Sequence, residues 1–298
     1  VSIAGFGAVY DRGYRPYEGK RGLRGAATLA LFKASIRRAL GLRRSWRQKI
    51  APFVLLGIVT VPAIVNVGIG YVTRDRIGAD RLEIITYRDY VGVSSALLLF
   101  VALVAPDVIC PDRRQRVLPL MFARPLTGVD YVIAKVGAIA SILFAFSYLP
   151  QVVLFVGNML VSDAAAKYFT GHLDVLWKVP LAVLLLAVYY AVIGVAAASM
   201  TDRRIVAGAG VIGLFLVTSI AAGVIVGDFE AGHGSAAALI NVLALPLYLR
   251  DVVFLGHIDA QSPLSGVANG GWLSAVTYLA VLLVGVGVLL KRYRWVER

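Results

Sequence analysis

The chain has 298 residues, of which 59% are hydrophobic and 16% charged, with a mean hydropathy of +0.79. That balance excludes an ordinary water-soluble domain and leaves little chain for a soluble catalytic unit. The formal net charge of +13 would suggest nucleic acid in a soluble protein. Here no nucleic-acid-reading module accompanies it, and the surplus sits beside apolar stretches, where anionic lipid head groups attract it. Membrane lipids are therefore expected partners and nucleic acid is not.

Residues 1–24 carry Gly5, Gly7, Gly13, Gly19 and Gly22 with Pro16, too many helix breakers for a long helix. This segment is read as a cytoplasmic lead-in. Its tyrosines Tyr10, Tyr14 and Tyr17 interleave with Arg12, Arg15, Lys20 and Arg21, which suits a partner protein or a lipid surface equally. Across 25–49, Leu29, Phe32, Ile36 and Leu40 recur at helical spacing among basic residues, predicting an amphipathic helix in the membrane interface.

Residues 50–298 read as a six-helix transmembrane domain. The predicted spans are 50–72, 90–110, 132–160, 176–199, 205–227 and 273–290, and most reach the approximately 20 residues that cross about 30 Å of hydrocarbon. With the N-terminus inside, 23 of the 30 Lys and Arg residues fall on the cytoplasmic side, so both termini are expected in the cytoplasm. The first 49 residues contain no short apolar core followed by a small-residue cleavage site, so the first span is expected to direct insertion. The excess of Arg over Lys, with abundant Ala, Gly and Val, points to a GC-rich bacterial genome, so a bacterial cell (inner) membrane is expected.

A further apolar stretch, 236–256, is interrupted by Pro246 and by Arg250 with Asp251. Charges at bilayer depth cost about 3 kcal/mol each, and another crossing would put Lys291, Arg292, Arg294 and Arg298 outside. It is read as a re-entrant or surface-lying pair of short external helices. Pro150 with Gln151 predicts a kink in the third span, and Gly223 with Gly227 forms a GxxxG pair suited to helix packing.

Catalytic chemistry finds little support. The only acid inside the spans is Asp107, expected to pair with Arg113 or Arg114 at the end of the second span. His172, His233 and His257 lack metal-ligand spacing, and Gly232-His233-Gly234-Ser235 reads as a glycine-rich turn rather than a hydrolase site. The sole cysteine, Cys110, permits no intrachain disulfide. Gly19-Lys20 lacks both the first glycine and the Ser or Thr of a phosphate loop, since Tyr14 and Arg21 stand there. No bound cofactor or metal is expected, and the chain is not read as an enzyme.

The loop after the second span is different. Val117, Leu118, Leu120, Met121 and Phe122 form an apolar surface flanked by Arg113, Arg114, Arg116 and Arg124, and Thr127 with Asp130 fits a capping box opening the third span. A solvated linker needs no such surface, so the loop is expected to contact another protein.

From Asp112 through Arg124-Pro125-Leu126, Asp130-Tyr131 and Lys135, this loop resembles the first cytoplasmic loop of type-2 permeases of ATP-binding-cassette exporters. The amphipathic elbow, the six spans and the short external helices are similar to that family along the whole chain. Gly128-Val129 and Val117-Leu118-Pro119 depart from its pattern. The resemblance implies a permease subunit that exports a hydrophobic, amphipathic or lipid-like substrate and pairs with an identical or related permease. ATP and magnesium would be held by a separate ATPase subunit. It further implies coupling to that subunit through Asp112, Arg113, Arg114, Leu118, Leu120, Met121, Phe122, Arg124 and Asp130. The rival reading is a non-transporting membrane scaffold or an intramembrane enzyme.

Overall fold

The computed structural model describes residues 24–42, 46–77, 86–91, 94–122, 126–162, 164–229 and 235–297. The lead-in before Arg24 lies outside them. In chain order the helices are α1 (Arg24–Ala39), α2 (Trp46–Ile77), α3 (Tyr87–Tyr90), α4 (Ser94–Arg114), α5 (Leu118–Phe122), α6 (Gly128–Val161), α7 (Ala165–Gly171), α8 (Val175–Ala198), α9 (Arg204–Phe229), a 3-10 turn (Ala236–Ile240), α10 (Leu245–Leu255) and α11 (Gly270–Glu297). No strand occurs among the described residues.

Among the described residues five helices, α2, α6, α8, α9 and α11, are long and apolar enough to cross a membrane, the architecture of a multi-pass membrane protein. The 21-residue α4 carries Asp107, Asp112, Arg113 and Arg114 in its last turns. Helix α8 is central: 67% of its apolar window is buried, against 17% in α9 and in α11. The apolar faces left open on the outer helices, such as Val217 and Ile220 on α9 and Leu283 and Val284 on α11, are what a lipid solvent requires.

Between helices in lipid, close approach of small residues replaces the hydrophobic drive. The closest approach to backbone involves Gly208 of α9. Pro106 brings no N–H to the Ala102 carbonyl one turn back in α4, and Gly208 packs on that oxygen; a Cβ there would stand 2.8 Å from it. Gly285 likewise leaves room for Val192, and Gly157 for Val67. Gly223 and Gly227, expected to pack helices, have nothing within 4 Å of a built Cβ among the described residues. They face outward in the single chain.

The amphipathic helix is shorter than 25–49. Gly41, at φ 64°, lets its N–H bond to Arg38 O and that of Leu42 to Arg37 O, a Schellman stop that an L side chain would strain. Its packed face is also shifted. Ser35 and Ala39 are buried, Leu31, Ile36 and Leu40 pack on the core and Phe32 meets Gly137 of α6, while Leu29 is exposed. Small side chains at 35 and 39 let the helix lie close to its neighbours.

Helix α6 runs unbroken through Pro150 for 34 residues, roughly 50 Å. After α9 the chain dips into the bundle and returns. The Tyr189 and Tyr190 hydroxyls, roughly 20 Å along α8 from its start, donate to Val242 O (3.0 Å) and Leu243 O (2.8 Å) at the turn between the 3-10 segment and α10. Lys178, near the start of α8, donates to Phe254 O at the other end of α10 (3.3 Å). The short helices therefore pack against α8 along much of its length, with Arg250 and Asp251 neutralising each other at 2.7 Å.

Candidate functional site

One end of the bundle gathers the end of α1, the C-terminal turns of α4, α8 and α11, and the starts of α6 and α9. At its centre is Asp112, with a fully buried side chain. Its Oδ2 accepts from Lys135 Nζ at 2.6 Å and from the Tyr131 hydroxyl at 3.1 Å, and its Oδ1 accepts from Arg38. Lys135, 2% exposed, also donates to Val108 O at 3.0 Å and lies 5.3 Å from the centre of the Tyr131 ring. Tyr131 in turn packs on Tyr293 of α11, ring centres 4.8 Å apart.

Burial makes this arrangement demanding. A carboxylate without water is tolerated only when cations and donors occupy its lone pairs, and removal of one partner from such a pair typically costs about 3–5 kcal/mol. Three helices thus supply the charges and a fourth closes the ring stack, so α1, α4, α6 and α11 are held in one geometry at this end.

Two more ion pairs extend the network. Arg113 bonds Asp202 at 2.9 Å and the Ser199 carbonyl, tying α4 to the turn between α8 and α9. Asp107 pairs with Arg204 at the start of α9, 2.5 Å away, where the sequence reading had pointed to Arg113 or Arg114. That choice follows from the close α4–α9 crossing at Gly208, which sequence spacing does not reveal.

The loop residues divide. Asp112 is interior, so in this conformation it offers no surface to a partner. Leu118 is buried, Met121 and Phe122 are half-buried on the core, and Phe122 meets Tyr131 edge-on at 6.1 Å. Arg114 is exposed, the Leu120 side chain lies outside the described residues, and so does the 123–125 segment with Arg124. The capping box is present: the Thr127 hydroxyl accepts from the Asp130 N–H, and the Asp130 carboxylate accepts from the Thr127 N–H at 3.0 Å. Arg24 of α1 reaches the same carboxylate at 2.7 Å, so α1 is fastened to α6 at its start and to α4 near its end.

The opposite end holds a polar group that sequence reasoning missed. The Tyr87 hydroxyl meets that of Tyr168 at 2.7 Å and accepts from Asn158 at 3.2 Å, while Gln151 donates to Tyr87 O at 3.3 Å. Gln151 and Asn158, seven residues apart on α6, share one helix face, a signal the sequence did contain. Here Arg88 pairs with Asp259, whose carboxyl is held below the usual carboxylate range by the Gln261 N–H and the Arg88 guanidinium. His172 stacks on Tyr168 and His257 bonds its neighbour's carbonyl, whereas His233 lies outside the described residues. No cluster of three or more metal-ligating side chains occurs among the described residues.

No protein-family model and no curated protein matches the sequence.

Proposed function

We propose that the chain is the permease subunit of an ATP-driven exporter, with α4 as a sixth span, the basic end in the cytoplasm and ATP hydrolysed on a separate subunit. The observation that carries this reading is the Asp112 node: α1 is bonded to it through Arg38, and the short helix α5 rests by Phe122 on Tyr131, which bonds the same carboxylate. A force on α5 or α1 would reach α4, α6 and α11 through contacts already made. The loop motif that resembles type-2 permeases supports the same assignment. A partner would dock on the α5 segment around Leu120 and Arg124, while Asp112 transmits the displacement from inside. Outer faces without charge suit a hydrophobic or amphipathic cargo, moved by its different affinity for two states.

The test is reconstitution with a candidate ATP-binding subunit. Magnesium-dependent ATP hydrolysis is expected only with both chains together, and Leu120→Asp is expected to reduce their co-purification. Hydrolysis by the lone chain after removal of contaminants would refute the reading, as would unchanged assembly and transport in Leu120→Asp and Arg124→Lys.

A further inference from the structure

A cleft of about 1160 Å³ opens between the last turns of α4 and the start of α9. It is lined by Asp107, Arg114, Arg203, Arg204, Ile205 and Val206, among others. Its charges do not cancel. Asp107 is engaged by Arg204 and Asp202 by Arg113, so both acids at the cleft are already neutralised. Arg114 and Arg203 are exposed and form no ion pair among the described residues. Two guanidinium groups are thus left to face the opening.

The apolar wall is as informative. Ile205 is 85% exposed and Val206 51%, close after Arg203 in sequence. From Val206 the same face of α9 continues through exposed Gly210, Val217, Ile220 and Val224. Two unpaired cations in one cleft with an exposed apolar stripe match the profile of a phospholipid, with its phosphate at the top and its acyl chain below. Guanidinium forks match phosphate oxygens bidentately. A small anion would have no use for the apolar stripe, and in a zwitterionic lipid the choline cation offsets the phosphate charge that the arginines attract.

We infer that this cleft holds one anionic glycerophospholipid, its phosphate between Arg114 and Arg203 and an acyl chain along the Val206–Val217–Ile220 face. The site needs only that α9 meets a bilayer, and it stands whether or not the chain transports anything.

The experiment uses the purified full chain and native mass spectrometry with two lipids of identical acyl chains, phosphatidylglycerol and phosphatidylcholine. Preferential retention of one phosphatidylglycerol is expected. It should fall about tenfold in Arg114→Gln/Arg203→Gln, the scale of losing one strong charge-assisted contact. Arg114→Lys/Arg203→Lys should restore part of it. Ile205→Asn should weaken retention as well, and thermal unfolding in phosphatidylcholine nanodiscs should match the unmodified chain for every variant. Equal retention of both lipids, or a glutamine double variant that binds phosphatidylglycerol normally, would overturn the site. Full displacement by millimolar glycerol 3-phosphate with Ile205→Asn indifferent would make it a small-anion site instead. A loss of chain-to-chain association that tracks the arginine substitutions would make it a protein interface. Unfolding of the double variant in phosphatidylcholine would count against it too, since exposed arginines that only bind lipid carry no packing.

Discussion

Lys135 and Asp112 sit 2.6 Å apart with both side chains closed to solvent, although one opens the α6 helix and the other ends α4. The loop between them, with α5, is therefore clasped at its base by an ion pair inside the protein. Asp112→Asn and Lys135→Met should each destabilise the chain by about 3–5 kcal/mol, because each strands a buried partner. The double variant should lose clearly less than the two added together, with a coupling of about 1–3 kcal/mol. Chemical unfolding of the four proteins measures this, and strict additivity would mean that the pair does not hold the loop.

How much of this was legible in sequence depended on distance along the chain. The helical, apolar character, the Thr127–Asp130 box and the interruption that divides 236–256 into two short helical segments are local patterns, encoded within a few residues. The Asp112–Lys135 bond is not local, nor is Arg38 to Asp112. Both acid and base stood in the motif, but which charge is buried is decided by helix crossings, and an acid in a polar loop reads as surface. Asp107 with Arg204 failed to be read for the same reason: the crossing rests on Gly208 against a carbonyl freed by Pro106, whereas the conspicuous Gly223–Gly227 pair faces outward.

At the far end, the Arg88–Asp259 pair should respond to acid. Because the Asp259 carboxyl is depressed in the folded chain, its stabilising contribution is complete above the unfolded carboxylate value, about 3.9, and is lost as pH falls through the lower folded value. Asp259→Asn keeps an acceptor for the Gln261 N–H and removes only the charge. The variant should melt below the unmodified chain at pH 7, and the gap should close in strong acid. A gap that stays constant from neutrality to strong acid would show that the charge contributes nothing.

Orientation can be read chemically. Cys110 is buried, and Cys110→Ala gives a background without thiols. Cysteines placed at the exposed positions Lys167 and His257 are expected to react with an impermeant reagent added to intact cells, and those at Gln115 and Arg203 only after the membrane is opened. Labelling of Gln115 in sealed cells would invert the topology.

Two glycines on one helix separate packing from composition. Gly208→Ala puts a methyl 2.8 Å from the Ala102 oxygen, a backbone atom that cannot rotate away, so α4 and α9 must move apart. Overpacking of this kind costs about 1–3 kcal/mol, more than the roughly 1 kcal/mol that alanine gains over glycine in a helix interior. Separation of the helices would also lengthen the Asp107–Arg204 pair, which bridges the same two elements one helical turn away. Gly223→Ala meets nothing within 4 Å among the described residues, so only the helix-propensity gain remains and the single chain should become slightly more stable. Thermal unfolding of both variants in detergent, at a concentration where the chain is monomeric, gives the comparison. A Gly208→Ala chain as stable as the unmodified one would remove the α4–α9 crossing described here. A Gly223→Ala chain less stable as a monomer would mean that the GxxxG face packs within the chain after all.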